Sequence, residues 1–214
     1  MQSRYFTVPS QKNPSIKIEV APGHFATGSS HISHYINISE MKSSASAAKD
    51  AARELAAPYL VNCEVDVIVC MEGTEIIAAY LADEILREGM CSTDSEKNIH
   101  VLTPMQSSNG NLIFHQNMQE KIFNRNVLIL LATMSTGATV KRAMECLAYY
   151  GGKLTGISSI FSAFPEVGER EVCSLFTTDD IPDYRFYRPS ECEMCNEGLK
   201  LDAIINSEGY TKIT

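Results

Sequence analysis

The sequence lacks an excess of basic residues, an apolar run long enough to cross a membrane, and an apolar block near its N-terminus. Its 214 residues carry 18 lysines and arginines against 26 aspartates and glutamates, a formal net charge of -8. Because the basic residues also form no cluster, we expect neither nucleic acid nor a membrane as a partner. The N-terminal residues do not resemble a secretory signal, so the expected location is cytoplasmic.

A disulfide framework is not indicated either. The seven cysteines are odd in number and scattered, and Cys70 and Cys146 lie within apolar runs, as reduced core thiols do. Apolar residues make up 44% of the chain, which is enough for a core, and no internal repeat or low-complexity linker is present. We therefore predict a single domain over residues 1–214.

Apolar periodicity alternates between helical and extended segments. Helices are predicted near residues 43–60, 76–87 and after 138, and strands near 65–70, 99–102, 127–131 and 154–160. The polar stretch 103–119 is predicted to be a loop or hairpin. Right-handed crossovers between such strands imply a parallel sheet. The predicted fold class is α/β, a doubly wound parallel sheet with its ligand at the carboxyl ends of the strands, under a small hood from about 1–40 and 180–214.

The most informative segment, 127–139, reads as an apolar strand, a small hydroxyl-rich turn and the start of a helix. The turn and the first helical residues are Ser135, Thr136, Gly137, Ala138 and Thr139. Their hydroxyls, the close backbone approach that glycine permits, and the N–H groups and dipole of the helix all favour an anion. These residues therefore predict a phosphate-binding loop. The alternative is an ordinary strand-to-helix turn with capping hydroxyls.

This segment resembles the fingerprint of the type I phosphoribosyltransferases. In that family, four apolar residues, two acids and two more apolar residues precede Thr-Thr-Gly-Gly-Thr or a close variant, and residues 135–139 align with the last part without gaps. The family's loop holds the 5′-phosphate of phosphoribosyl pyrophosphate or of a nucleotide monophosphate. In this sequence Leu131 and Ala132 occupy the positions of the two acids. We interpret them as part of a strand that stays buried for longer.

Further matches resemble the orotate enzymes of this family. Gly23-His24-Phe25 and the following Ser33 and Tyr35 resemble the segment near the start of those enzymes, which implies that Phe25, Ser33 and Tyr35 lie on the base side. The strand and loop from 65 to 77 resemble the family's pyrophosphate loop. The candidate residues of this loop are Glu72, Gly73, Thr74 and Glu75, with Glu75 in place of the usual second glycine.

The resemblance implies a homodimer and a Mg²⁺-assisted transfer, with two acids on the ribose hydroxyls and a mobile basic loop over the leaving group. Residues 103–111, which align with that loop, contain no Lys, Arg or His, and the nearest cations are His115 and Lys121. Losing one well-placed transition-state contact costs ~3 kcal/mol. The leading hypothesis is therefore an orotate phosphoribosyltransferase-like protein that binds phosphoribosyl pyrophosphate or a nucleotide monophosphate, with transferase activity weakened or lost.

Two alternatives stay open. One is an active transferase for orotate or a related base, in pyrimidine nucleotide synthesis, with relocated catalytic acids and Mg²⁺. Glu72 and Glu75 are the acids in question, although loop carboxylates more often face water. The other alternative is a zinc or thiol module on a recycled fold.

The last motif is Cys192-x-x-Cys195, followed by Gly198, which resembles the tail of a longer subset of the orotate enzymes. Its spacing suits a metal, but a tetrahedral zinc site needs two more ligands. Only the fold can bring these, and the candidates are Cys173, His24, His31 and His34. Otherwise the two cysteines are free thiols or a redox-sensitive pair. We expect His31 and His34 on the hood surface and the aromatic segment 184–188 as a half-buried edge strand.

Overall fold

The computed structural model describes residues 5–61, 64–89, 97–108, 110–206 and 209–213. The strands are β1 (Phe6–Pro9), β2 (Lys17–Ala26), β3 (His31–Asn37), β4 (Val67–Cys70), β5 (His100–Leu102), β6 (Met105–Gln106), β7 (Leu112–Ile113), β8 (Asn126–Met134), β9 (Lys153–Ser162), β10 (Glu166–Val167), β11 (Arg170–Thr177), β12 (Phe186–Tyr187), β13 (Ala203–Asn206) and β14 (Gly209–Lys212). The helices are α1 (Ser39–Ser43), α2 (Ala45–Ala56), α3 (Glu75–Glu88), α4 (Gln116–Ile122), α5 (Ala138–Tyr149) and α6 (Glu193–Asn196).

The main sheet has the strand order β10-β11-β9-β8-β4-β5. All its neighbours pair in parallel except the short β10, which forms an antiparallel hairpin with β11. Every residue of β4 is buried, as expected for a strand covered on both faces. The predicted α/β fold with a parallel sheet is confirmed.

Helices cover both faces of this sheet, and alternate residues of β8 show how. Leu128 and Leu130 pack with Leu55 of α2 and Leu81 of α3 on one face. On the other face, Val127, Ile129 and Leu131 pack with Val140 and Leu147 of α5 and with Ile122 of α4. Because strand side chains alternate, one continuous apolar strand serves two cores. This two-sided burial explains why the run shows no polar alternation.

A second sheet, which we call the hood sheet, joins the two ends of the described chain. Its order is β12-β3-β2-β13-β14, with β1 also paired to β2. The parallel pairing of β2 with β13 places Phe25 opposite Ala203. Phe25, Ile32, Tyr35 and Ala203 form its separate small core. The hood sheet is therefore built from strands within residues 6–37 and from 186–187, 203–206 and 209–212.

Two predicted segments have refined bounds. The helix predicted over 43–60 is α2 with the short 3-10 helix Ala57–Tyr59 after it, while α1 lies before it and is separated from it by the extended Ser44 (φ -93°, ψ 124°). The polar stretch after β5 forms the antiparallel hairpin β6–β7 and then the start of α4. Among the described residues, no helix combines the length and apolarity needed to span a membrane.

Candidate functional site

The candidate site lies where β4 and β8 end. These strands are parallel neighbours, with Cys70 opposite Leu130, so the loops that follow them meet at one edge of the sheet. After β4 comes the loop 71–74, and after β8 the turn 135–137. In sheets of this kind, ligands bind outside the carboxyl ends of the strands. The two predicted loops are therefore adjacent.

The turn after β8 has the backbone of an anion cradle. Gly137, the N-cap residue, is left-handed (φ 72°, ψ 3°), and α5 begins at Ala138, whose N–H donates to Thr136 Oγ1 at 3.4 Å. The first N–H groups of a helix have no partner within the helix, and its dipole is positive there. A Cβ added to Gly137 would only touch Val167 and Val140, at 3.8 and 3.9 Å. Glycine is thus required by the backbone angle rather than by crowding.

Two hydroxyls of this turn connect it to other parts of the chain. Ser135 Oγ lies 3.2 Å from the Tyr184 hydroxyl. Thr136 Oγ1 lies 3.3 Å from Oγ of Ser29, which belongs to the β2–β3 turn of the hood sheet. The cradle is therefore held by contacts with the hood sheet and with the segment that leads into β12.

The positions of the two missing acids are confirmed as part of a long buried strand. Leu131 is 0% exposed and Ala132 4% exposed. The strand β8 continues past both residues to Met134. Neither position offers a carboxylate.

A carboxylate reaches this place from the neighbouring loop. Glu72 has a positive φ of 61°. Its Oε2 accepts from the backbone N–H of Thr133 at 3.4 Å, and its carboxylate also interacts with the Thr139 hydroxyl. Burial raises the pKa of Glu72, while the hydrogen bond from Thr133 and the charge of Lys42 act in the opposite direction. Glu72 is therefore half-buried, with its carboxylate turned toward the protein, whereas Glu75 is exposed as expected.

Lys42 is a site residue that the sequence analysis missed. A Cβ added to Gly73 would lie 2.8 Å from Lys42 Cε and 3.0 Å from its Nζ, so the lysine lies directly over Gly73. Lys42 belongs to α1, about 30 residues before this loop, and only packing of α1 against α3 brings it there. No local motif marks it. It supplies a cation at the pyrophosphate-loop candidates.

The remaining residues of that loop have structural contacts. Thr74 is fully buried, and its hydroxyl donates to the Met71 carbonyl at 2.9 Å. Glu75 accepts from the Thr103 hydroxyl at 3.2 Å, at the start of the segment aligned with the family's mobile loop. Glu75 therefore lies at the open side of this edge.

The base-side candidates lie in the hood sheet. Phe25 is 0% exposed and Tyr35 7% exposed, and both rings belong to the hood core. Ser33 Oγ accepts from the Arg185 N–H at 2.7 Å and lies 2.8 Å from His34 Nδ1. A role in base binding stays a prediction for all three.

The C-terminal cysteines meet two histidines of the hood sheet. His24, His31, Cys192 and Cys195 bring one ligand atom each to within 4.8 Å of one another, and Cys173 and His34 are not part of the group. The expected surface position of His34 is wrong, because it is only 7% exposed and stacks on Tyr184. The edge strand predicted from the aromatic segment is confirmed as β12, paired with β3.

Comparison with known proteins identifies the fold. No family model and no curated protein matches this sequence. Orotate phosphoribosyltransferase from Mycobacterium tuberculosis superposes with a TM-score of 0.51 at 13% identity, over 75% of this chain and 93% of that chain. Adenine phosphoribosyltransferase from Giardia lamblia superposes with a TM-score of 0.50 at 12% identity, over 82% and 94%.

The chain has the type I phosphoribosyltransferase fold. UMP synthase from Leishmania donovani also superposes, with a TM-score of 0.50 at 17% identity, over 69% of this chain and 30% of that chain. At such identities the likeness concerns the fold alone. The orotate and adenine proteins also match almost equally, so the sheet does not distinguish one base from another.

Proposed function

We propose that this phosphoribosyltransferase-fold chain binds the 5′-phosphate of phosphoribosyl pyrophosphate or of a nucleotide monophosphate on residues 135–139, with weak or absent transferase activity. The observation that carries the proposal is the N-terminus of α5 directly behind the left-handed Gly137, at the carboxyl edge of a parallel sheet. Backbone N–H groups and a helix dipole aimed at one point are the usual means of holding a phosphate.

Weak activity follows from the groups around the cradle. Leu131 and Ala132 are buried and apolar, so the ribose hydroxyls have no acids at these two positions. The hairpin β6–β7 occupies the segment aligned with the mobile loop, which has no Lys, Arg or His. Each missing transition-state contact is worth ~3 kcal/mol, although coupled losses do not add.

Isothermal calorimetry tests the binding. We expect heat on titration with phosphoribosyl pyrophosphate, with uridine or orotidine monophosphate, and, more weakly, with inorganic phosphate. Uridine, which has the base and the sugar without the phosphate, is the matched control and should give no heat. The proposal fails if none of the phosphorylated compounds binds, or if uridine binds as tightly as its monophosphate.

One observation favours a second candidate, an active transferase with a relocated acid. Glu72 brings a carboxylate beside Thr133, immediately after the positions of the missing pair. Mg²⁺ takes oxygen ligands and keeps several waters, and the exposed Glu75 is a carboxylate at this edge that suits it. A Mg²⁺-dependent loss of orotate absorbance with phosphoribosyl pyrophosphate, abolished in Glu72→Gln, would establish this candidate and displace the first.

The orotate branch and the oligomeric state belong to the same proposal. The orotate assignment is supported by the sequence match at Gly23-His24-Phe25 and at the C-terminal cysteines. The homodimer is inferred from the resemblance, and sedimentation would show it as a mass twice the 23.6 kDa of the chain. A monomer at all concentrations would exclude the homodimer and would leave the binding proposal unaffected.

A further inference from the structure

Four metal-ligand side chains converge where the hood sheet meets the C-terminal segment. His24 lies near the end of β2, His31 begins β3, Cys192 immediately precedes α6 and Cys195 lies within it. His24 Nε2 is 3.2 Å from His31 Nδ1, 3.4 Å from Cys192 Sγ and 3.7 Å from Cys195 Sγ. Cys195 Sγ is 3.3 Å from His31 Nδ1.

These separations are close to the edges of a zinc tetrahedron. With Zn–N of about 2.0–2.1 Å and Zn–S of about 2.3 Å, the ideal edges are about 3.4 Å between two nitrogens and about 3.6 Å between nitrogen and sulfur. The observed values are 3.2 Å for the nitrogen pair and 3.3 to 3.7 Å for the nitrogen–sulfur pairs. These four separations match a tetrahedral ion, and the two remaining pairs of ligand atoms also lie within 4.8 Å.

The surroundings of His24 also suit a metal ligand. Its Nδ1–H donates to the Leu199 carbonyl at 2.9 Å, which leaves the lone pair of Nε2 directed at the cluster. A histidine ligand whose second nitrogen is held by a carbonyl is the usual arrangement in zinc sites. His24 is 3% exposed and Cys192 1% exposed, while Cys195 is exposed and offers an entry route. Two imidazoles and two thiols packed this closely offer few good hydrogen-bond donors to one another's acceptor atoms.

We propose that His24, His31, Cys192 and Cys195 bind one Zn²⁺ ion in a structural site. Four protein ligands complete the tetrahedron and leave no position for water, so the ion stabilises the fold and takes no part in a reaction. The proposal is independent of phosphate binding at residues 135–139.

The position of the site indicates what the ion holds together. His24 and Cys192 are 168 residues apart in the sequence, so the ion would close a very long loop. It joins the β2–β3 hairpin to the segment that leads into β13, beside two hydrogen bonds in which the Asp202 N–H donates to the His24 carbonyl and the His24 N–H donates to the Asp202 carboxylate. The turn between the two histidines also carries Ser29, which contacts Thr136. The ion would therefore hold the hood sheet in place beside the cradle.

Metal analysis of the untagged, full-length protein tests this. We expect one zinc per chain in the wild type by elemental analysis, and native mass spectrometry should show the ion bound with loss of protons from the thiols. Cys195→Ser should lose the zinc, and its exposed side chain makes a packing defect small. Cys173→Ser is the matched control, because this half-buried thiol on β11 lies outside the cluster and should keep one zinc.

A second measurement needs no variant. Wild-type protein stripped with a chelator and titrated with Co²⁺ should develop the intense visible bands and the thiolate charge-transfer absorption of a tetrahedral site, and its Tm should fall on stripping and recover with zinc. Purified protein that contains no zinc and takes up neither metal would overturn the proposal. So would zinc retained in Cys195→Ser, or a Cys192–Cys195 disulfide in freshly purified, zinc-free protein.

Discussion

At the residue scale, Glu72 determines how the candidate site is interpreted. Its carboxylate interacts with the Thr133 N–H and the Thr139 hydroxyl, next to the loop that we propose binds phosphate. Two anions close together repel by roughly 1–4 kcal/mol near a protein surface. Removing the charge with Glu72→Gln should therefore raise the affinity for inorganic phosphate several-fold, as measured by calorimetry. Weaker binding in this variant would mean that Glu72 supports the anion rather than opposing it.

The same substitution has a pH-dependent effect on stability. Burial raises the pKa of Glu72 above its ordinary 4.5, so the folded state holds the proton more tightly than the unfolded state. Stability from this residue is complete below pH 4.5 and is lost as the pH rises through the folded pKa. In urea unfolding we expect Glu72→Gln to be more stable than the wild type at pH 7, with the difference closing toward pH 4. The exposed Glu75→Gln should stay within about 0.5 kcal/mol of the wild type throughout.

At the element scale, the strand–turn–helix unit depends on Gly137. A branched residue at φ 72° is strained by about 1–3 kcal/mol, and relief of that strain moves the N–H groups at the start of α5. Gly137→Val should therefore be destabilised by that amount and lose phosphate binding. Gly209→Val, also at a positive φ (143°) but in the β13–β14 hairpin with open space around it, should lose stability and keep affinity. Unchanged phosphate affinity in Gly137→Val would show that the turn is only structural.

The contact between Ser135 and Tyr184 tests whether neighbouring elements position the turn. Tyr184→Phe removes the hydrogen bond between the Tyr184 and Ser135 hydroxyls, which lie 3.2 Å apart. The free energy of unfolding should fall by about 1 kcal/mol. Tyr59→Phe is a close match, since the Tyr59 hydroxyl lies 2.9 Å from Ser158 Oγ on β9, in the hydrophobic core on the α2–α3 face. We expect both variants to lose similar stability in urea and only Tyr184→Phe to weaken phosphate binding. Equal phosphate affinities would remove the positioning role.

Elements with a local signal were predictable from the sequence. The unit β8–turn–α5 has its apolar run, glycine and hydroxyls within the 13 consecutive residues 127–139, and the structure forms the strand, turn and helix there as predicted. The positions of Glu72 and Lys42 were not predictable, because no periodicity describes which way a loop carboxylate turns or which helix passes over it. The short helix α1 was not predicted either, because its five residues are too few to show a helical apolar period.

At the scale of the whole molecule, the least predictable feature was the meeting of the chain ends. The hood sheet pairs β2 with β13. His24 thereby lies beside Cys192, which is 168 residues away in the sequence. Cysteine spacing indicated half of the zinc site that we propose, but the two histidines could be chosen from the candidates only after the strand pairing was known. Such contacts depend on the assembly of both sheets, which local sequence signals do not contain.

Two half-buried tyrosines give the whole molecule a predicted sensitivity to alkali. Burial raises the pKa of Tyr59 and of Tyr184 from 10.0 to about 12. Their stabilising contribution is therefore complete below pH 10 and is lost as the pH rises to about 12, up to roughly 2.7 kcal/mol for each ring by the linkage of pKa to stability.

The double variant Tyr59→Phe/Tyr184→Phe lacks both ionisations but also lacks two hydroxyl hydrogen bonds worth about 1 kcal/mol each. It should be less stable than the wild type at pH 8 and more stable near pH 12, so that the two curves of unfolding free energy cross. Urea unfolding at intervals between pH 8 and 12 measures this, with Tyr149→Phe, 83% exposed, as a control that should follow the wild type. Parallel curves for the double variant would mean that the two rings reach solvent before they ionise.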